Sequence, residues 1–277
     1  MVLSSFSQRE LIEKAWSERS TLTPQSHPEP YDAVMRIIDQ LDAGQVRIAE
    51  PHYGEWHVQT WLKMAVLLYF RLRYNSFYAD LSPAYDKVPL KFAHWNESEF
   101  QASGIRAVPG SIVRYGAYIA PGVVLMPCFV NIGAYVDEGT MVDSFVTVGS
   151  AAQIGKNCHI SANVAIGGVL EPLLASPVII ENNCFIGAGS QLTEGVIIEE
   201  GAVIGMGVAL GSSTPIVNRA TGEISYGRIP AYSVVVQGSL PSSESARNAP
   251  LLNCAVIVKQ VDEKTRTKTS LNELLRP

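Results

Sequence analysis

Residues 112–166 read IVRYGAYIAPGVVLMPCFVNIGAYVDEGTMVDSFVTVGSAAQIGKNCHISANVAI. An aliphatic or aromatic side chain recurs there at every sixth position, namely at Ile112, Tyr118, Val124, Val130, Val136, Val142, Val148, Ile154, Ile160 and Ile166. A second run with a different phase comprises Ile180, Ile186, Leu192, Ile198, Ile204, Leu210 and Ile216. The runs are fourteen residues apart, two more than two repeats, so we expect residues 167–179 to leave the repeat as a loop.

A period of six residues fits neither an α-helix nor a hairpin sheet. It is typical of short strands joined by tight corners, each strand pointing one aliphatic side chain into a common interior. We therefore predict a left-handed parallel β-helix over residues 106–216, in which residues three repeats apart stack at about 4.8 Å. Cys128, Cys158 and Cys184 each precede a repeat aliphatic by two positions. We interpret them as core residues, because free cysteine is usually buried.

The segment before the repeat has helical patterns. Ser7 and Glu10 have the spacing of a capping box at the start of a first helix. YDAVMRIIDQLDAG predicts a second helix that Gly44 ends, and EWHVQTWLKMAVLLYFRLR predicts a third, more buried helix. Residues 1–105 are therefore expected to form a helical N-terminal domain, with an irregular connector over DLSPAYDKVPLKFAHW.

The segment after the repeat, residues 217–277, is expected to cap the β-helix. The sequences TGE and PAY lie between β-branched runs and predict hairpins over the open end. The closing segment KTRTKTSLNELLRP predicts a short helix. The fold class expected for the whole chain is mainly β, with a helical domain before the β-helix and a β/α cap after it.

Composition excludes several functional classes. The chain has 277 residues, of which 47% are hydrophobic and 17% charged, so it can bury a large core without disulfide bonds. Its net charge of −5 disfavours nucleic acids and anionic membranes as partners. No apolar window of about 18 residues and no signal-peptide core are present, so we expect a cytoplasmic protein. The four cysteines are scattered, which indicates neither a zinc site nor a disulfide framework.

Several segments resemble one family. NIGAYVDEGTMVDSFVTVGSAAQIGKN, IGGVLEPL, FIGAGSQLTEG and YGRIPAYSVVV, with TWLKMAVLLYFR and YDKVPLKFAHW before them, resemble the tetrahydrodipicolinate N-succinyltransferases over nearly the whole chain. The resemblance implies acyl transfer from a coenzyme A thioester to the amine of ring-opened tetrahydrodipicolinate (the 2-amino-6-oxopimelate form), on the route to diaminopimelate and lysine. It also implies a homotrimer whose active sites lie between neighbouring β-helices. We expect no metal, because the cysteines and histidines form no ligand cluster.

The resemblance assigns two residues to the substrate. Arg106, in SGIRAVPG, matches the family's substrate-binding arginine, and a guanidinium suits a dicarboxylate because it donates two parallel hydrogen bonds to one carboxylate. Asp143, in GTMVDSF, matches the family's aspartate that meets the substrate amine, and it can accept a proton as attack proceeds. The alternative for each residue is an ordinary solvated charge.

His159 is an alternative base. It precedes Ile160, which stacks one repeat above Val142, so the pattern places His159 on the face of Asp143, with Cα atoms about 8 Å apart. Other hexapeptide acyltransferases use a histidine base, although this family's pattern does not assign that role here. Carbonic anhydrases share the fold, but they need three histidine ligands, and His159 is the only histidine within the repeat.

The segment FIGAGSQLTEG departs from the family. An arginine and then a glutamate usually stand where this chain has Gly189 and Gln191. Gln191 remains a candidate catalytic residue that can accept a hydrogen bond, but it cannot neutralise an ammonium. The missing arginine leaves the donor open between succinyl-CoA and acetyl-CoA. An acetyl-transferring relative, such as the acyltransferase of tabtoxin-type β-lactam biosynthesis, fits these departures.

Candidate contacts to coenzyme A lie later in the chain. Backbone amides near Met206 and Gly207 are candidates for stabilising the oxyanion of the thioester, because glycine permits close approach. The tail supplies basic side chains for the phosphates, namely Lys259, Lys264, Arg266 and Lys268. A solvated basic segment explains those charges equally well.

Two hypotheses from different classes follow. The first is an acyl-CoA-dependent N-acyltransferase, and the second is a catalytically weakened trimeric scaffold or regulator, which Gln191 alone favours. A homotrimer is expected in both, because the positions interpreted as the outer wall are too apolar for solvent. These positions are Val123, Phe129, Tyr135 and Met141.

Overall fold

The computed structural model describes residues 5–23, 25, 28–78, 83–193, 195–242 and 250–262. Its helices are α1 (Ser5–Ser17), α2 (Pro28–Asp42), α3 (Thr60–Leu72) and α4 (Glu97–Ser103). Two hairpins lie among them, formed by β1 (Ala49–His52) with β2 (Glu55–Val58) and by β3 (Ser76–Tyr78) with β4 (Ala84–Asp86). Among all the residues described above, no helix is long and apolar enough to cross a membrane.

The repeat forms seventeen consecutive two-residue strands. They are β5 (Arg106–Ala107), β6 (Ile112–Val113), β7 (Tyr118–Ile119), β8 (Val124–Leu125), β9 (Phe129–Val130), β10 (Tyr135–Val136), β11 (Met141–Val142), β12 (Thr147–Val148), β13 (Gln153–Ile154), β14 (His159–Ile160), β15 (Ala165–Ile166), β16 (Ile179–Ile180), β17 (Phe185–Ile186), β18 (Gln191–Leu192), β19 (Ile197–Ile198), β20 (Val203–Ile204) and β21 (Ala209–Leu210). The remaining strands are β22 (Ile216–Asn218), β23 (Ile224–Ser225), β24 (Arg228–Ile229), β25 (Ser233–Pro241) and β26 (Leu251–Gln260).

Every third strand of the repeat pairs in parallel, which confirms the left-handed β-helix with three faces. Face 1 contains β5, β8, β11, β14, β17, β20 and the start of β25. Face 2 contains β6, β9, β12, β15, β18 and β21, and face 3 contains β7, β10, β13, β16, β19 and β24. The second residue of each strand enters one continuous core. Glycines at left-handed corners, such as Gly139 (φ 68°) and Gly201 (φ 69°), allow the chain to turn between faces.

The phase predicted for the first coil is wrong by one residue. Val113 pairs with Val130, seventeen positions later, and Ile119 and Leu125 also point inward. The corner between β8 and β9 is one residue shorter than the others, so residues 112, 118 and 124 face outward. Val123 is consequently buried in the core and does not belong to the outer wall. The error arose because adjacent apolar residues in these strands satisfy the six-residue period in either phase.

The loop over residues 167–179 replaces less of the repeat than the spacing suggested. Ile180 stacks directly on Ile154, so β16 is the next strand after β15 and no repeat is missing between them. The fourteen positions between Ile166 and Ile180 are therefore one repeat plus eight inserted residues.

The end of the β-helix also differs from the prediction. Ile216 leaves the repeat and covers the end of the core, and Ile229 takes the place above Ile198. The TGE sequence does form a hairpin, between β22 and β23. The PAY sequence is a corner between β24 and β25, and the second hairpin joins β25 to β26. The predicted helix in residues 264–277 lies outside the described residues.

Two predictions for the N-terminal segment need correction. α1 already includes Ser5, so Ser7 lies within the helix and not at the N-cap position that the spacing predicted. The segment at Glu55 is strand β2, and α3 begins only at Thr60. The alternation of exposed and half-buried residues along EWHV fits a strand, whereas a stretch that is apolar except for Lys63 begins at Trp61. The second helix is confirmed, and Gly44 follows it with a φ of 69°.

The N-terminal segment covers face 3. The Arg47 guanidinium lies 3.9 Å from the centroid of the Tyr135 ring, and its Nε donates to Oε1 of Gln153 at 2.9 Å. Trp56 Nε1 donates to Oε1 of Glu181 at 2.8 Å. The core formed by α1, α2 and α3 continues into the corner between faces 2 and 3. Much of faces 1 and 2 is therefore left open by the folded chain.

Lys63 ties the inserted loop to α3. Its side chain is fully buried, and Nζ donates to the carbonyl oxygens of Pro172 (3.2 Å), Leu173 (2.8 Å) and Ala175 (2.8 Å). Burial lowers the pKa of Lys63, and within the described residues this ammonium has no ion pair. The Pro172 carbonyl also accepts from the Ala175 backbone N–H at 3.0 Å, whereas those of Leu173 and Ala175 have no other donor among the described residues.

We expect Lys63→Met to lower the free energy of unfolding by about 2–4 kcal/mol, because it removes three hydrogen bonds and leaves the part-buried carbonyls of Leu173 and Ala175 without a donor. Urea unfolding at fixed protein concentration measures this change. Lys156→Met is the matched control, since Lys156 forms an exposed ion pair with Glu138 and should change stability by less than about 1 kcal/mol. Equal effects of the two substitutions would contradict the role of Lys63.

Candidate functional site

Arg106 lies at the start of face 1. Asn96 caps α4 by accepting from the backbone of Ser98 and Glu99, and Gly104 ends the helix in a left-handed conformation (φ 68°). β5 follows two residues later, with Ala107 stacked on Leu125 and Arg106 pointing outward beside Val124. The Arg106 side chain is exposed. Within the described residues its guanidinium has no hydrogen bond or ion pair, so the whole fork is available to a ligand.

Asp143 lies in the corner between faces 1 and 2, directly after β11. Its backbone N–H donates to the carbonyl of Ile160 at 2.9 Å. One carboxylate oxygen, Oδ1, accepts from the backbone N–H of Ser144 at 2.7 Å, which holds the side chain at the corner. The other oxygen, Oδ2, has no partner among the described residues. A half-buried carboxylate with one free oxygen can orient an ammonium and accept its proton.

The register relates these side chains to each other. Arg106 pairs with Val124, which pairs with Met141, so Arg106 and Asp143 share one face at two coils' separation. Their Cα atoms are about 12 Å apart at this offset. His159 pairs with Met141, which confirms that it lies on the same face, and its ring centroid is 5.4 Å from that of Phe185.

Gln191 does not approach Asp143 within one chain. It lies on face 2, pointing outward between Ala165 and Ala209, and it is exposed. Asp143 lies two coils away around the corner. β21, the strand after that of Gln191 on face 2, is the last strand of this face. Its Ala209 backbone N–H donates to Oε1 of Gln237 at 3.0 Å. The two candidate residues meet only if face 1 of one chain packs against face 2 of another.

The prediction that the Gly207 amide donates to an oxyanion is wrong. That N–H already donates to the carbonyl of Ala188 at 2.9 Å, which joins two coils at the corner between faces 1 and 2. Gly207 also has a φ of 69°, so its role is to form this turn. The amide of Met206 has no partner within the described part of the chain, and it is the remaining candidate donor at this corner.

Gly189 lies in the same corner, one coil below Gly207. Its φ is 71°, and a Cβ added there would meet nothing within 4 Å. The absence of a side chain at this position is therefore not required by packing. An arginine would extend from the corner into open space, where a donor can approach.

The basic residues of the tail are only partly described. Lys259 lies in β26 opposite Val234 at the end of face 1, and it makes an interaction within the structure. Arg266 lies outside the described residues, as do Lys264 and Lys268. The described residues contain no group of three metal-ligating side chains.

The three repeat cysteines are buried, which confirms their assignment to the core. Cys158 and Cys184 lie at equivalent positions in successive coils, and Cys158 Sγ is 3.0 Å from the carbonyl oxygen of Glu181. Burial raises the pKa of Cys128 to about 12, so its thiol stays protonated at neutral pH. Burial also raises the pKa of Cys184, so the thiols of Cys128 and Cys184 are poor nucleophiles.

The corner between faces 1 and 2 also carries an apolar surface that the sequence analysis did not predict. Phe145 is 72% exposed and has a φ of 62°, which is unusual for a bulky residue. With Ile112, Phe129 and Thr147 of face 2 it borders a cavity of about 290 Å³. A phenylalanine at a corner where other coils have glycine or asparagine was the available signal.

Comparisons with known proteins agree with this geometry. A model of the tetrahydrodipicolinate N-succinyltransferase N-terminal region matches residues 7–72. A model of the hexapeptide repeat of succinyl-transferase matches residues 146–167 and 177–212. Together with the three-faced β-helix, these matches define an acyltransferase of the hexapeptide-repeat class.

Full-length relatives narrow the class to a family. A 2,3,4,5-tetrahydropyridine-2,6-dicarboxylate N-succinyltransferase of Gluconobacter oxydans is 59% identical, over 97% of this chain and 98% of its own length. One of the same name from Laribacter hongkongensis is 60% identical, over 96% and 97% of the two chains. The chain therefore belongs to the tetrahydrodipicolinate N-succinyltransferase family.

Proposed function

We propose that this acyltransferase moves the acyl group of a coenzyme A thioester onto the amine of ring-opened tetrahydrodipicolinate. The observation that carries the proposal is the arrangement of face 1, where an unpaired guanidinium and a carboxylate with one free oxygen belong to residues whose Cα atoms are about 12 Å apart. The Arg106 fork suits one carboxylate of the substrate, and the free oxygen of Asp143 suits its amine.

A cytoplasmic location stays a prediction of the sequence.

The chemistry needs few protein groups. The amine nitrogen attacks the thioester carbonyl carbon, a C–N bond forms, and the C–S bond breaks to release the thiol of coenzyme A. Asp143 accepts the proton that the nitrogen loses, and this proton can pass to the departing sulfur. Backbone donors at the corner stabilise the transient oxyanion. No acyl-enzyme is needed, which agrees with the burial of the repeat cysteines.

The complete site requires a second chain. Asp143 and Gln191 diverge in one chain, while the open faces carry apolar residues such as Met141 and Phe129. Phe145 and Met206, 72% and 77% exposed, border the same corner. A threefold arrangement that packs face 1 against face 2 of the next chain covers these side chains. The same arrangement brings the two candidate catalytic residues to one cleft.

We expect sedimentation equilibrium to give a homotrimer of the 30.0 kDa chain at micromolar concentration. Phe145→Asp should weaken the trimer, because it places a charge in the covered corner. Tyr53→Asp is a matched control, since Tyr53 is 97% exposed in the β1–β2 turn of the segment that covers face 3. A stable monomer of the unmodified chain would contradict both the trimer and the shared site.

The donor is the second part of the proposal. The relatives are named succinyltransferases, but this chain has Gly189 where the family usually carries an arginine. A succinyl group brings a free carboxylate, which costs several kcal/mol to desolvate without a cation, whereas an acetyl methyl has no such cost. Among the described residues, no basic side chain lies in the corner of Gly189.

We expect kcat/KM to favour acetyl-CoA over succinyl-CoA when thiol release is measured with the same amino acceptor. Gly189→Arg should raise kcat/KM for succinyl-CoA, because its side chain enters open space near the corner. Gly222→Arg is the control, since Gly222 also has a left-handed φ (75°) and open surroundings but lies in the β22–β23 turn. A tenfold preference for succinyl-CoA in the unmodified protein would show that Gly189 does not determine the donor.

The same assay tests the alternative of a weakened scaffold. Gln191 cannot neutralise an ammonium, and this departure is the feature that favours loss of activity. Thiol release with either donor, together with mass spectrometric detection of the N-acylated product, supports the enzyme. No release with either donor, from a trimeric and folded protein, would support the scaffold.

A further inference from the structure

A cavity of about 820 Å³ lies between the N-terminal helices and the inserted loop of the β-helix. We call it the helix–loop cavity. The charged and aromatic residues of its lining are Trp16, Arg19, Phe70, Arg71, Lys87 and Glu171. The segment after α1 forms one wall, α3 forms another, and Glu171 reaches the cavity from the loop that Lys63 holds. A concave space of this size suits a small molecule better than a flat partner surface.

Positive charge dominates the lining. Arg19, Arg71 and Lys87 contribute three positive charges, and Glu171 contributes one negative charge. The whole chain has a net charge of −5, so this local excess is opposite in sign to the molecule. None of the three cations forms an ion pair within the described ranges. One carboxylate in the lining does not balance three positive charges, so an anion in the cavity would reduce their mutual repulsion.

Backbone contacts hold the three cations around the cavity. Arg71 donates to the carbonyl of Ser20 at 2.8 Å, and Lys87 Nζ donates to that of Phe70 at 2.5 Å. Arg19 donates to a carbonyl of the same wall and stacks 4.4 Å from the Trp16 ring centroid. Each guanidinium uses one donor in this way. The remaining donors can bind a phosphate or carboxylate in pairs.

We propose that the helix–loop cavity binds a small soluble molecule with at least two anionic groups, phosphate or carboxylate. The aromatic walls of Trp16 and Phe70 would contact its less polar part. The cavity lies on the N-terminal segment, which covers face 3, and face 3 is opposite the corner that contains Asp143. The ligand would therefore occupy a second site, and it would contact the inserted loop through Glu171.

Isothermal titration with inorganic pyrophosphate, and separately with citrate, tests the proposal on the full chain. Each titration is made without and with saturating coenzyme A, which occupies any phosphate site for the donor. We expect one binding event per chain for at least one of the two probes. Arg71→Gln should weaken that binding at least fivefold, and Lys87→Gln should also weaken it. Glu171→Gln should tighten it, because a negative charge leaves the lining.

Arg36→Gln is the matched control, since Arg36 is an exposed arginine of α2 outside the lining, and it should not change the affinity. Circular dichroism verifies that each variant is folded, and Lys87→Gln replaces Arg71→Gln if the latter is not. Absence of binding by both probes overturns the proposal. So does binding that coenzyme A abolishes, or binding that Arg36→Gln and Arg71→Gln weaken equally.

Discussion

Asp143→Asn is expected to lower kcat by about 100- to 10,000-fold, which is the range for loss of a positioned acid–base group. Asparagine keeps the oxygen that accepts from the Ser144 backbone N–H, so the corner should keep its conformation. What disappears is the negative charge that orients the substrate ammonium, and with it the site that receives the proton. Steady-state turnover with saturating substrates measures the effect.

Two control variants make this result specific. Asp137→Asn changes an aspartate with the same local contact, since Oδ1 of Asp137 accepts from the next backbone N–H at 2.8 Å, but at a different corner. It should leave kcat nearly unchanged. His159→Ala should also cost much less than Asp143→Asn. If the histidine change is the more damaging, His159 is the base and the proposed role of Asp143 is wrong.

Arg106→Lys is expected to raise KM for the dicarboxylate by about 10- to 100-fold, which corresponds to about 1.5–3 kcal/mol. Lysine keeps the charge but loses the second parallel hydrogen bond to the carboxylate. Because Arg106 lies at the start of face 1, far from the corner of Gly189 and Met206, KM for the acyl-CoA should stay constant. Initial rates with each substrate varied in turn separate the two values.

The control for this substitution is Arg219→Lys, since Arg219 is exposed and follows β22 at the other end of the β-helix. Neither KM should change in that variant. An unchanged KM for the dicarboxylate in Arg106→Lys would mean that Arg106 is a solvated surface charge. The substrate carboxylate would then be bound by another cation of the assembled trimer.

Much of the β-helix could be predicted from the sequence because its repeat is local. Each strand places one aliphatic side chain inward. The six-residue period therefore predicts the β-helix without any information about contacts between distant residues. The period failed where two adjacent residues were both apolar, as at Val124 and Leu125. It failed again at Ile216, where an aliphatic in the correct phase covers the end of the core. In both cases the deciding information is which neighbour the side chain contacts.

The candidate site was predictable residue by residue but not as an arrangement. The pattern placed Asp143 and His159 on one face, and the strand register confirms this. It could not show that the Gly207 amide is already bonded to Ala188, because such contacts join successive coils. It also could not show that Gln191 lies around a corner, or that Lys63 holds the inserted loop. These features depend on pairs of residues that are far apart in the sequence.

The sequence by itself determined the β-helix, the inward position of the cysteines and the family. All three can be predicted from local patterns of side-chain size and polarity. Only the tertiary structure decided which faces stay open, which backbone amides are free and where basic side chains collect around a cavity. The N-terminal segment covers face 3 and so leaves faces 1 and 2 open. Hydrogen bonds between successive coils determine which backbone amides are free. The physical reason is that exposure and hydrogen bonding depend on which two segments of the chain contact each other. A local sequence pattern does not specify those contacts.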